Sequence, residues 1–240
     1  MKRMNLKNAL QKTSVALAIV AMASSANAAI ITTGINGTND ASSTDLLQTH
    51  LSSAELSGLW NEGVASPYGS GLNDTAAPLF NGAALVASQY NPDTNGTAQD
   101  WLIIGNNNRS VVTFILDTVA NPLGYTISQI DFFHGWADNG RDAMDFKIQY
   151  SMVGAPGTFL DYGTSTYFDP ASNYGISRIT DSTGTIATGV AALRFSAPTV
   201  KNNWGGISEI DVFGVAIPEP SSALLGSLGM LALLRRRRTE

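Results

Sequence analysis

The chain has 240 residues, with 14 basic and 19 acidic side chains, a net charge of −5 and no cysteine. Without cysteine there are no disulfides, thiol catalysis, cysteine zinc sites or cysteine-linked lipid, so stability must come from core burial, with or without a metal. An acidic chain repels phosphate backbones, which argues against a nucleic-acid partner.

The first 28 residues read as a secretory signal peptide. Lys2, Arg3, Lys7 and Lys12 form a basic start, residues 15–23 an apolar stretch, and Ala26-Asn27-Ala28 a small-x-small cleavage site. A mature chain would then begin at Ala29. Setting aside the four bases of the leader and four more at the far end, the span 29–217 keeps six basic and seventeen acidic residues, a net charge of −11. That surface suits neutral ligands, divalent cations or simple solubility, and most of its carboxylates are expected to be solvated.

Residues 29–78 form an N-terminal part rich in Thr, Ser, Asn, Gly and Ala. Leucines at 46, 47, 51, 56 and 59 predict one short amphipathic helix between Asp45 and Trp60, with Gly58 as a counter-signal. Residues 79–216 are expected to hold the β core. Apolar and β-branched runs recur at 101–104, 111–116, 126–133, 144–150, 157–162, 175–179, 190–195 and 207–213, bounded by Gly, Asn, Asp or Pro. Residues 146–150, Phe-Lys-Ile-Gln-Tyr, alternate with period two. In the last run Ile207 is out of phase with Ile210 and Val212, which predicts a bulge or a strand entering the sheet at Glu209. Short, regular strands without long helices between them make the fold class all-β, an antiparallel sandwich.

Catalytic patterns are absent. No Gly-x-Ser-x-Gly turn accompanies the two histidines, His50 and His134. Asp138, Asp142 and Asp145 are the densest acidic cluster, and an acidic loop explains them without a glycosidase pair. The loop 134–142 carries the parts that recognise sugars: His134, Trp136, Asp138, Asn139 and Arg141 lie between two β runs, with Asn202 and Trp204 before the last strand. An aromatic face packs on ring C–H groups while amide and charged groups take hydroxyls. The competing reading puts Trp136 on the core and pairs Arg141 with Asp138 or Asp142.

The segment 217–240 has three features in fixed order. Pro218-Glu219-Pro220 stiffens the chain, an apolar run over 223–234 is shorter than the roughly 20 residues of an ordinary spanning helix, and Arg235, Arg236, Arg237 and Arg238 stop further export. This tail resembles the PEP-CTERM sorting tails of Gram-negative, biofilm-forming bacteria. The resemblance implies export, transient insertion in the inner membrane, removal of the tail by an exosortase-type membrane protease, and residence at the cell surface or in the extracellular matrix.

A second resemblance rests on residues 145–151 (Asp-Phe-Lys-Ile-Gln-Tyr-Ser), 157–163 (Gly-Thr-Phe-Leu-Asp-Tyr-Gly) and 205–214 (Gly-Gly-Ile-Ser-Glu-Ile-Asp-Val-Phe-Gly), with a turn at Phe80-Asn81-Gly82. These look like the central hairpin, closing strand and early turn of discoidin (coagulation factor 5/8 C-type) and related galactose-binding-like domains. The resemblance implies a jelly-roll β-sandwich whose end loops bind carbohydrate, and a structural calcium ion tying the early turn to the last strand through Asn81, Asp93, Thr97 and Glu209. An outward-facing Glu209 on an alternating strand is the alternative. The function expected is a non-enzymatic exported protein that binds exopolysaccharide or another glycan. The rivals are a structural matrix protein with no specific ligand and, further off, a secreted glycoside hydrolase.

Overall fold

The computed structural model describes residues 29–58, 60–62, 77–80, 82, 84 and 101–219. Eleven strands run in chain order: β1 (Ile30–Asn36), β2 (Leu51–Gly58), β3 (Trp60–Glu62), β4 (Leu102–Gly105), β5 (Ser110–Leu116), β6 (Tyr125–Gly135), β7 (Lys147–Met152), β8 (Ala155–Thr164), β9 (Tyr174–Asp181), β10 (Ala187–Ser196) and β11 (Trp204–Ala216). One short helix, α1 (Leu46–Thr49), precedes β2, and 3-10 turns occur at Ala77–Phe80 and Lys201–Asn203. All eight β runs read from the sequence coincide with β4 to β11.

Every pairing is antiparallel. The first sheet has the order β1-β9-β6-β11-β4-β3 and the second β2-β5-β10-β7-β8. They meet where β10 begins, since Ala187 and Val190 pair with Ile127 and Tyr125 of β6 before the strand turns into the second sheet. The chain is thus an all-β antiparallel sandwich. Alternation fixes which side chains fill it. On β5, Val112, Phe114 and Leu116 are buried inward while Val111, Thr113 and Ile115 face out half-buried. Phe132 on β6 meets Phe195 of β10 edge to face at 5.1 Å and stacks on Phe146 at 3.9 Å. Fully burying a side chain of this size contributes about 1.5–3 kcal/mol.

The irregularity at Ile207 is a bulge. The β6–β11 register shifts between Ile207 and Glu209, so Ser208 is the extra residue and Ile207, Ile210 and Val212 all join one core. A strand in unbroken alternation would have turned Ile207 away from that core.

The leucine-rich stretch departs from its predicted form. Only Leu46–Thr49 is helical, and Leu51–Gly58 is a strand along the edge of β5. Ala54 and Leu56 are half-buried while Ser53, Glu55 and Ser57 are exposed, a period-two pattern hidden among helix-spaced leucines. Gly58 closes the strand at φ +87°, where an added Cβ would collide with the Arg109 carbonyl oxygen. The N-terminal part also reaches into both sheets, with β1 on the edge of the first and β2 on the edge of the second.

The expectation that acidic side chains are mostly solvated fails for six of them: Asp45, Asp131, Asp142, Asp181, Glu209 and Asp211 are buried. Three tie the N-terminal segment to β11. Asp45 caps α1 by accepting from the Leu47 amide at 2.8 Å and also takes the Val212 amide at 3.2 Å; Asp211 accepts from the Ser42 amide at 2.7 Å; Glu209 accepts from the Gly82 amide at 3.1 Å. Beyond β4, the Asp45 carboxylate gives the Val212 amide of β11 a partner that an open edge would leave bare.

Candidate functional site

Three loops converge at one end of the sandwich: 106–109 between β4 and β5, 136–142 after β6, and 197–203 before β11. Backbone and side-chain hydrogen bonds sew them together. The Asn106 amide donates to the Asn203 carbonyl at 3.1 Å and its side chain to Asn203 Oδ1 at 2.7 Å. The Asn107 and Asn108 amides donate to the carbonyls of Pro198 and Ala197, and the Asn202 side chain donates to the Gly140 carbonyl at 2.7 Å. Asn107, Asn108, Asn202 and Asn203 all have left-handed backbone, with φ between 52° and 71°. Asparagine accepts this conformation more readily than other side chains, which is why these turns are built from it.

Beneath the loops sits a small aromatic cluster separate from the main core. Trp101, Ile103 and Trp136 are buried, and half-buried Tyr174 and Trp204 pack against them. Trp101 and Trp136 meet edge to face at 5.2 Å. The Arg141 guanidinium lies 5.4 Å from the Trp136 ring centre, and that of Arg109 lies 4.9 Å from Trp204.

All seven residues singled out for sugar binding therefore gather at this end, but at two depths. Asp138, Asn139 and Asn202 are exposed, and Arg141 and Trp204 are half-buried. His134 and Trp136 lie underneath, 0 % and 3 % exposed. Trp136 is held between Trp101 and Arg141 as a floor, so it is not the exposed aromatic platform expected of it, and half-buried Trp204 is the more accessible tryptophan at this end. His134 is not open to a ligand either. Its Nδ1 donates to the Asp142 carbonyl at 2.7 Å, and its Nε2 accepts from the Ser177 hydroxyl at 2.9 Å. Nothing in the local sequence marks this burial, because Ser177 and Phe168, whose ring packs edge-on to the imidazole, arrive from distant segments.

The acidic cluster is dispersed into structural contacts. Asp138 accepts from the Gly140 amide within its turn, buried Asp142 accepts from Lys201 Nζ at 3.1 Å, and Asp145 accepts from the Thr199 amide at 2.6 Å. Burial raises the pKa of Asp142, opposed by Lys201. Of the calcium set, Asn81, Asp93 and Thr97 lie outside the described residues. Glu209 is wholly buried, so it is not the outward-facing residue of the alternative. Among the described residues no group of three histidine or acidic side chains is placed to hold a metal ion.

The sequence reading missed Arg109 and the three consecutive asparagines before it. The run Asn106-Asn107-Asn108 was itself the signal, since such a run between two β runs marks a turn with left-handed residues and exposed amides.

Burial lowers the His134 pKa from 6.5 to about 4, so the folded protein holds the ring neutral. The unfolded chain takes up this proton first as pH falls, so His134's contribution to stability is fully present above 6.5 and is lost as pH drops towards about 4. In an NMR titration the His134 ring resonances are expected to stay at their neutral positions down to about pH 4. A midpoint at 6.5 or above would show that the ring is solvated.

No family model matches the chain, and no curated protein matches it. Among solved structures, it is similar to CBM32-1 from a family 31 glycoside hydrolase of Clostridium perfringens. The two are 11% identical, with a TM-score of 0.42, over 70% of this chain and 99% of that one.

Proposed function

We propose that this protein is exported and acts as a glycan-binding component of the cell surface or extracellular matrix of a Gram-negative bacterium. The observation that carries the reading is the convergence of three loops around half-buried Trp204, rimmed by Arg109, Arg141, Asp138, Asn139 and Asn202. A pyranose has apolar C–H patches and a ring of hydroxyls. Trp204 offers the first a packing surface, while asparagine amides and guanidinium N–H groups offer the second their partners. A net charge of −11 over residues 29–217 favours a neutral polysaccharide over a polyanion.

Replacing Trp204 with Ala is expected to weaken glycan binding by about 2 kcal/mol, roughly thirtyfold, because it removes the anchoring aromatic. Trp136→Ala is expected to act differently, lowering folding stability by about 3–5 kcal/mol. Glycan-array binding and the denaturant midpoint, measured on one preparation of the full chain and each variant, check both. Array binding that Trp204→Ala leaves intact, or no binding by the native chain, contradicts the reading and favours a structural matrix protein without a specific ligand.

The reading includes a structural calcium ion held by Asn81, Asp93, Thr97 and Glu209. Glu209 is a buried carboxylate beside Gly82, an oxygen donor of the kind calcium takes. Millimolar calcium is expected to raise the melting temperature, since an ion bound only by the folded state stabilises it, and Glu209→Ala should remove that increment. Identical melting curves in calcium and in chelator would exclude the ion.

Sorting through the tail completes the reading. β11 ends at Ala216, and Pro218 and Glu219 leave the sandwich exposed, while Pro220 and Arg235 to Arg238 lie outside the described residues. An exosortase-type protease acting after transient inner-membrane insertion would remove most of the tail. Intact-mass measurement of the surface form should show this loss, and changing the four arginines to Ser should block it. Surface protein still carrying Arg238 would contradict the sorting step.

A further inference from the structure

The outer face of the second sheet carries features that the loop end does not use. Its registers place Glu55, Thr113, Arg194, Gln149 and Asp161 in one cross-strand row over β2, β5, β10, β7 and β8. The next row runs through Ile115, Ala192 and Ser151. Their neighbours Phe114, Leu193 and Ile148 point the other way into the core. Ala192 and Ser151 are small, and between taller neighbours they leave a hollow of about 290 Å³, bordered by Glu55, Arg194 and Phe159.

Two observations mark this hollow as a built site. Ser151 is 0 % exposed and lines it, yet its hydroxyl has no hydrogen-bond partner. A buried hydroxyl left this way costs free energy that a ligand hydroxyl would recover. Arg194 is held rigid at the rim: its guanidinium lies 3.6 Å from the Phe159 ring centre and its Nε donates to Thr113 Oγ1 at 3.3 Å. Among the described residues Arg194 forms no salt bridge, so its outer N–H groups remain to serve a ligand. Glu55 lines the same hollow as an acceptor, and Ile115, Ala192 and Pro156 give it apolar surface.

A fixed donor, an acceptor, an orphaned hydroxyl and an apolar floor match an uncharged polyol with apolar C–H patches. Glu55 and the acidic surface both disfavour an anion. We propose that this hollow is a second carbohydrate subsite that takes one neutral pyranose unit. It shares its class of ligand with the loop-end reading but none of its residues, so either site can fail alone.

The test is amide shift mapping on the full chain with methyl β-glucopyranoside, methyl β-galactopyranoside and, as the anionic counterpart, glucuronate. Saturable shifts at Ser151, Ala192 and Phe159 are expected with at least one neutral glycoside, in the millimolar range. Glu55→Gln changes an exposed side chain and Arg194→Lys keeps the charge but loses the planar fork. Each is expected to weaken these shifts roughly tenfold, and Trp204→Ala should leave them unchanged. Shifts confined to residues 202–204 and 138–141, or none with any probe, would overturn the second subsite. Tighter binding of glucuronate than of either glycoside would overturn the neutral ligand.

Discussion

The ladder between β6 and β11 is the constraint on which the rest of the molecule depends. Its paired stretch joins Tyr125–Gly135 to residues 206–216, in the middle of the first sheet. Phe132, Ile210 and Val212 on it fill the main core. Its end delivers His134 and Trp136 under the loop site and carries Trp204 onto it. The bulge at Ser208 sets the phase of the two halves. It lets Ile207 remain in the core while Glu209 and Asp211 reach the N-terminal segment. An unbulged strand would have to surrender either the isoleucine or the carboxylates.

Those carboxylates link distant segments of a chain that has no cysteine. Asp45, Glu209 and Asp211 join Ser42, Asp45 and Gly82 to β11 through hydrogen bonds from backbone amides. The arrangement has an electrostatic cost. Asp211 lies directly across from Asp131, and its pKa is pushed up to about 7. Burial is the first cause; the charges of Asp45 and Asp131 add to it, while the Ser42 amide and Arg178 oppose it. Arg178 grips Asp131 with both Nε and Nη2.

The sandwich was legible because local alternation and the core agree from residue 101 onward. The irregularity at Ile207 was legible too, since Ile207 and Ile210 cannot share a face in a regular strand, but the sequence left a bulge and a late strand entry at Glu209 equally open. Strand β2 was harder because its leucines sit at helical spacing, and only the open edge of β5 decides for a strand. The loop site was legible in position but not in depth. Polar and aromatic residues between strands signal an end loop, but His134 is buried by Phe168 and Ser177, which no local pattern announces. The hollow on the second sheet was invisible for a related reason. It arises from the registers of several strands, and neither Ala192 nor Ser151 carries a mark of its own.

At Trp204 a half-buried ring, a flanking guanidinium and a rim of asparagines are set on a buried aromatic floor. Hydrogen–deuterium exchange on the full chain, with and without millimolar methyl β-galactopyranoside, tests this account most directly. Slower exchange is expected at residues 106–109, 138–141 and 202–204 when the glycoside is bound. Unchanged exchange in all three loops under saturating glycoside would contradict it.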